Sequence, residues 1–403
     1  MKKTLIALAT LAATASFAQN TVTISGVMDA GYRNVSAPLG GSTKGGFQNG
    51  TATSAILIQG TEDLGGGLTA SFRYEINPDF VGGSGLSGSV LEDSTGAQVR
   101  TSNGANGYNF VAVGSKDIGT VRFGRLNTGS LSAWATASVF GTALGSGYGS
   151  NGNMYVGAAS SLANFNQTAP TRYNGAVEYT TPTFSGFSAR VLMVPKVDNT
   201  GAGNVNNAAA ATLPGANRAS VTDLSLAYNQ GPLNVMVAQQ AVKTGAVAVN
   251  GLVNTGAGSN VANGSYKLTT LAANYTMGAA TVYAGYWTEK QATVAATATV
   301  VDAVGTMIGA KYTMGALTFM GSYGKRDDKS TANAGSGATT AFANADKKIM
   351  GLGVDYALSK RTNLWARYEN RDGDTTRSGT NTANANASWD ATKTTAVGVR
   401  HTF

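Results

Sequence analysis

The segment Val397-Gly398-Val399-Arg400-His401-Thr402-Phe403 carries a strand pattern straight into the last residue of the chain, which is aromatic. Val397, Val399, His401 and Phe403 share one face, with Gly398, Arg400 and Thr402 on the other. The end of a soluble domain frays unless something ties it down. A chain that finishes in mid-sheet points to a closed barrel, where the last strand pairs with the first.

The other end supports that architecture. Lys2 and Lys3 precede an apolar run from Leu5 to Ala15, and Ser16-Phe17-Ala18 is a small-x-small cleavage site. Residues 1–18 therefore read as a secretory signal peptide, too short to span a bilayer as a mature helix, and 19–403 as the mature chain. No later stretch is apolar and long enough for a transmembrane helix. Only 12% of residues are charged and 53 of 403 are Gly. Helical proteins of this size are richer in Leu, Glu and Lys, so strands and small-residue loops are expected.

Alternating segments recur along the chain, and the connections between them are short, then long. Short ones carry turn chemistry: Glu62 to Gly66, Gly114 to Asp117, Pro182 to Gly186, Gln230 to Pro232, Met277-Gly278, Met314-Gly315 and Leu358 to Arg361. Long ones are polar and small, such as Asp198 to Ala219, Thr244 to Ser265, Asp327 to Asp346 and Asp372 to Asp390. Counting between them gives about sixteen strands, the even number a barrel with both ends on one side requires. Leu68, Ala70, Phe72, Tyr74 and Ile76 oppose Thr69, Ser71, Arg73 and Glu75; Phe187, Ala189, Val191 and Met193 oppose Ser188, Arg190 and Leu192. Tyr32, Tyr179, Tyr275 and Tyr368 suit an aromatic girdle. The fold class is all-β: a 16-stranded antiparallel transmembrane barrel with short periplasmic turns and long extracellular loops. A soluble sandwich or propeller would show no such asymmetry of turns and loops.

One connection differs. Leu126 to Thr171 holds no charged residue but carries Trp134, Phe140, Tyr148, Tyr155 and Phe165. A long uncharged aromatic loop is poorly suited to solvent, so it reads as a third extracellular loop folded inward against the barrel wall.

Several chemistries are excluded. The chain has no cysteine, and its one histidine, His401, falls by alternation on the lipid-facing side near the periplasmic end, so neither a Ser-His-Asp arrangement in the lumen nor a His-rich metal site is expected. Asp355 and Glu369 could pair across neighbouring strands, but pairing with Arg367 or Arg400 is the simpler reading. Gly65-Gly66-Gly67 lacks the Lys-Ser/Thr and helix of a phosphate loop. Asp372-Gly373-Asp374 lacks the remaining spacing of a calcium loop. The formal charge of +8 is scattered singly, with no basic stripe for nucleic acid. No cofactor is implied.

Six stretches then carry a resemblance: Gly60 to Leu68, Gly119 to Arg125, Tyr179 to Phe187, Gly231-Pro232-Leu233, Leu358 to Thr362, and Val397 to Phe403. In these the chain resembles the trimeric general porins of Gram-negative bacteria, closest to the beta-proteobacterial type. The resemblance implies an outer-membrane homotrimer set in lipid and lipopolysaccharide, with the third loop making a constriction. It also implies that Phe403 belongs to a signal read by the barrel-insertion machinery. Related anion-preferring porins place arginines opposite the loop. Arg172 matches one such slot, whereas Ala55 and Gly107-Tyr108 stand in two others.

Strand parity directs Arg33, Arg73, Arg172, Arg190, Lys311, Arg367 and Arg400 inward, together with Asp29, Glu75, Glu178, Asp223, Asp355 and Glu369. Parity sets Arg125 outward with Phe123, but Gly124 permits a bulge, and the resemblance places such an arginine at the pore wall; both orientations stay open. Fixed positive charge facing an uncharged loop predicts a passive diffusion pore for ions and small hydrophilic solutes with weak anion preference. Two alternatives remain: a surface adhesin or structural barrel with a plugged lumen, and a solute-selective channel lined by aromatics such as Trp134 and Tyr148.

Overall fold

The computed structural model describes residues 21–37, 41–51, 53–78, 80–81, 90–92, 98–100, 107–147, 172–195, 219–244, 264–293, 299–329, 346–373 and 392–403. The signal segment 1–18, Tyr148, Tyr155 and most of the long loops lie outside them. In chain order the elements are β1 (Thr21–Ala37), β2 (Gly41–Asn49), β3 (Ala55–Gly65), β4 (Leu68–Ile76), β5 (Val90–Glu92), β6 (Gln98–Arg100), β7 (Asn109–Ser115) and β8 (Gly119–Asn127). There follow α1 (Gly129–Ala137), β9 (Arg172–Thr180), β10 (Phe187–Val194), β11 (Ala219–Gln230), β12 (Leu233–Thr244), β13 (Gly264–Met277) and β14 (Ala280–Thr293). The last five are β15 (Thr299–Met314), β16 (Leu317–Asp328), β17 (Lys347–Ala357), β18 (Thr362–Gly373) and β19 (Thr392–Thr402).

Apart from the small β5–β6 hairpin, all strands form one antiparallel sheet of seventeen segments. β1 pairs with β2 along its second half and with β3 along its first, so β2 and β3 share a single position in the ring. The ring thus has sixteen positions, and it closes where β1 meets β19, from Val27 opposite Thr402 to Ser36 opposite Lys393. Phe403 continues that ladder: its N–H donates to the Gly26 carbonyl at 3.1 Å, and Gly26 N–H donates to the Phe403 carbonyl at 3.0 Å. The chain end is held by the first strand, as its alternation predicts. Closure leaves no unpaired edge, which a sheet in hydrocarbon cannot tolerate.

The seven short connections fall where the turn residues placed them. The alternation is borne out as well. Phe72 and Tyr74 on β4, Phe187 and Met193 on β10, and Leu352 and Tyr356 on β17 are exposed on the outside, while Glu75, Leu192 and Gly351 on the same strands are buried on the inside. A Lys or Arg on the outer face would cost about 2–4 kcal/mol at the bilayer midplane, so these strands keep their charges inside. His401 is exposed on the outer face, with Nδ1 2.8 Å from Thr362 Oγ1. No described helix is long and apolar enough to cross a membrane.

Candidate functional site

Residues 128–147 leave β8 and turn into the barrel. The sequence showed an inward loop, but not that its first part is helical. Thr128 caps α1, its side-chain oxygen accepting from Leu131 N–H at 3.1 Å, and Ala133, Ala135 and Ala137 favour the helix. Asp223 on β11 accepts from Gly129 N–H at 2.8 Å, so a carboxylate also meets the positive helix end. Small side chains let α1 lie flat: Ala133 and Ala137 pack on Met236, Ala238 and Ala272. Trp134 is sealed edge-on against Trp287, with centroids 5.1 Å apart.

The loop then continues around the inside. Phe140 stacks with the Arg367 guanidinium at 5.6 Å. Gly145 N–H donates to Glu369 Oε2 at 2.7 Å, and its carbonyl accepts from Ser322 Oγ at 3.0 Å. Leu144 N–H donates to the Thr51 carbonyl at 3.1 Å. A Cβ at Gly351 would collide with the Gly145 carbonyl, so glycine there permits the close approach. The described part of the loop therefore lines the inner faces of β11 to β18.

The inner faces of β4 and β7 to β10 carry a different set of residues. Arg73 Nη2 donates to Glu75 Oε2 at 2.7 Å, and Arg172 Nη2 lies 3.9 Å from Glu75 Oε1. Arg122 Nη1 donates to Glu178 Oε1 at 2.9 Å, and Arg190 Nη1 lies 3.4 Å from Glu178 Oε2. The acids are posts beneath the bases. The side chains of Glu75 and Glu178 are 8% and 1% exposed, against 16–28% for the four arginines. The surface presented inward is thus guanidinium.

Arg125 joins this wall. Gly124 adopts φ +153°, and the β8–β9 register shifts between Gly124 and Leu126. A side chain at 124 would strike the Asn109 carbonyl, so the bulge rests on glycine. It turns Arg125 inward, where Nη1 donates to Asn174 Oδ1 at 2.7 Å and the guanidinium feels both Arg172 and Glu75.

Several sequence expectations need correction or narrowing. Asp29 points inward but is fully buried: Oδ1 accepts from Trp365 Nε1 at 2.8 Å, and its backbone binds Ser54 and Gly50, so it braces β1 against β18 and does not face open lumen. Arg367 is covered by Phe140 and holds Asp355 at 2.7 Å. Trp134 is 1% exposed, so it cannot line a solute path. Arg33 and Arg400 sit inward by parity but make no ion pair among the described residues. Tyr148 and Tyr155 lie outside the described residues. Asp355 and Glu369 have separate partners, Arg367 and Arg371.

The sequence reading did not single out Arg122 or Phe110. The available signal was their alternation with outward-facing Val111, Val121 and Phe123. Tyr108 was seen only as a missing arginine. The structure stacks these groups: Arg73 Cζ lies 5.5 Å from the Tyr108 ring, Arg122 Cζ 5.5 Å from Phe110, and the two rings are 5.0 Å apart. No described cluster of His, Cys, Asp and Glu could hold a metal.

Comparison with known proteins gives a consistent result. Residues 4–376 match the family described as Gram-negative porin. Outer membrane porin protein 32 of Delftia acidovorans is 33% identical over 196 residues, which is 47% of this chain and 48% of that protein. The chain thus spans about half of that relative in the match. An outer membrane porin protein of Bordetella pertussis is 27% identical over 91% of this chain and 93% of its own length. The structure of an anion-selective porin from Comamonas acidovorans superposes with a TM-score of 0.67 at 21% identity, covering 96% of this chain and 100% of that one.

Proposed function

Because the chain belongs to the Gram-negative porin family, we propose that its barrel is a water-filled channel of the outer membrane, through which ions and small hydrophilic solutes diffuse passively with a weak preference for anions. The observation that carries this reading is the row Arg73, Arg122, Arg125, Arg172 and Arg190 on a wall that the described part of the loop does not cover, in a barrel whose inward loop segment 128–147 holds no charged residue. Guanidinium stays charged at any physiological pH. In a narrow lumen with low-dielectric walls, such fixed charge raises the local concentration of anions. The buried Glu75 and Glu178 offset part of it, and mobile ions screen the rest over about 8–10 Å, so the preference is weak and fades at high salt. The relative from Comamonas is named anion-selective, in keeping with this reading.

The protein assembles as a homotrimer in this proposal, each protomer a separate pore, and Phe403 belongs to the segment read during insertion. The test is the zero-current potential of the refolded protein in a planar bilayer under a salt gradient. Conductance steps in threes with an anion-directed potential are expected. Arg172→Glu should reduce or reverse the potential, and an unchanged permeability ratio would remove Arg172 from the constriction. Silence from folded trimers would favour the adhesin or plugged-barrel reading.

A further inference from the structure

A cavity of about 440 Å³ opens on the arginine wall, bordered by Gln59, Ser71, Arg73, Tyr108, Phe110 and Arg122 among others. Its volume lies within the range of small-molecule sites. Phe110 is the unexpected member. It alternates with Val111, which is exposed on the outer face, so its ring looks into the barrel among Thr, Ser and Gln side chains. Lipid does not require an aromatic residue there, and water opposes one.

The two rings and two cations form a continuous chain of contacts: Arg73 lies over Tyr108, the Tyr108 and Phe110 rings meet at a 53° tilt, and Arg122 lies over Phe110. Arg73 uses Nη2 for Glu75, and Arg122 uses Nη1 for Glu178 and Thr180. The other terminal nitrogen of each makes no hydrogen bond among the described residues. The cavity thus offers two N–H donors bearing positive charge beside the Tyr108 and Phe110 rings. A planar aromatic acid matches both halves: its carboxylate meets the guanidinium donors, and its ring stacks on Tyr108 or Phe110.

We propose that this cavity is a subsite for aromatic carboxylates, benzoate being the simplest, through which such acids pass in preference to aliphatic acids of equal size and charge. The proposal rests on the channel reading for access to the cavity. The rings could instead serve only to hold the arginine stems in place, and the experiment separates the two roles. Benzoate and cyclohexanecarboxylate carry the same charge and similar bulk, but only benzoate has a π face. With the refolded full-length protein in a bilayer, benzoate is expected to block ion current with a half-effective concentration a few-fold to about tenfold lower than cyclohexanecarboxylate. In the double variant Tyr108→Leu/Phe110→Leu, checked for folding by its heat-resistant mobility, the two acids should block alike.

Equal block by both acids in the natural protein, or a benzoate advantage that survives the double variant, would overturn the subsite. Saturation-transfer NMR with the same two acids and micellar protein reads binding without current. If the protein folds but conducts nothing, the channel reading fails. Benzoate signals saturated by the natural protein and lost in the double variant would still uphold the subsite, and their absence would end it.

Discussion

The two sides of the barrel interior are built from the same alternating strands, yet they use charge in opposite ways. Along β11 to β18 three ionisable side chains are spent on docking: Asp223 holds the start of α1, Glu369 holds Gly145, and Arg367 is stacked with Phe140. Along β4 and β7 to β10 the arginines stand partly wet above buried glutamates. What differs is the cover. Once a loop lies on a wall, an inward charge must find a protein partner, because leaving it unpaired is too costly. Where no described loop segment lies, the arginines keep 16–28% exposure, and water and mobile ions complete the solvation of a charge that remains available to a passing solute. Folding one uncharged loop to one side thus polarises the lumen.

Removing what fixes the cover should have the largest effect. Trp134→Ala would empty the space against Trp287 and weaken loop docking by about 3–5 kcal/mol, while the strand ladder stays intact. Trypsin cannot report this, because Leu126 to Thr171 contains no Lys or Arg. Chymotrypsin can: the buried Phe140 should resist cleavage in the natural protein, and the variant should be cut after Phe140 and conduct with greater noise. Equal resistance would show that the Trp134–Trp287 contact is not what fixes the cover. A smaller effect is expected on the open wall. Glu178→Gln leaves Arg122 and Arg190 without their shared carboxylate, at a cost of about 2–3 kcal/mol, below the fully buried limit because both arginines keep some water. The melting temperature should fall and the anion preference should rise, since a negative charge leaves the wall. A shift toward cations would contradict the idea that the glutamates offset the arginines.

Much of this contrast was legible in the residues. Period-two alternation gave the inward set on β4, β9 and β10, because a one-residue error would put Arg73 or Arg190 in lipid. The charge-free run from Leu126 showed which loop could fold inside. Parity cannot say whether an inward residue meets water or another segment. Asp29 and Arg367 are inward by parity and Trp134 is inward with its loop, but only the structure shows that Trp365, Phe140 and Trp287 respectively cover or seal them. Arg125 needed the bulge at Gly124, a backbone event that a glycine permits without dictating. Tyr108 and Phe110 meet as i, i+2 neighbours at the start of β7, but the Arg73–Tyr108 and Arg122–Phe110 contacts are diagonal across strands and follow from register, not from local sequence.

Asp223 is where the two sides touch, and it gives the smallest and sharpest test. Its carboxylate accepts from Gly129 N–H at the start of α1 and also interacts with Arg190 on the open wall. Asn at 223 keeps an oxygen for Gly129, so Asp223→Asn removes charge without removing the hydrogen-bond acceptor. Loss of the charge–dipole term costs about 0.3–1 kcal/mol, up to roughly 2 for a buried geometry. The loop should therefore stay protected from chymotrypsin, with the melting temperature lowered only slightly. Arg190 meanwhile loses a nearby negative charge, so the zero-current potential should move modestly further toward anions. If the charge matters only for docking, the melting temperature would fall and the potential would not move. If it matters only for the field, the potential would move and the melting temperature would not. Both changes together would establish that one buried carboxylate helps to hold the start of the cover and trims the charge of the wall beside it.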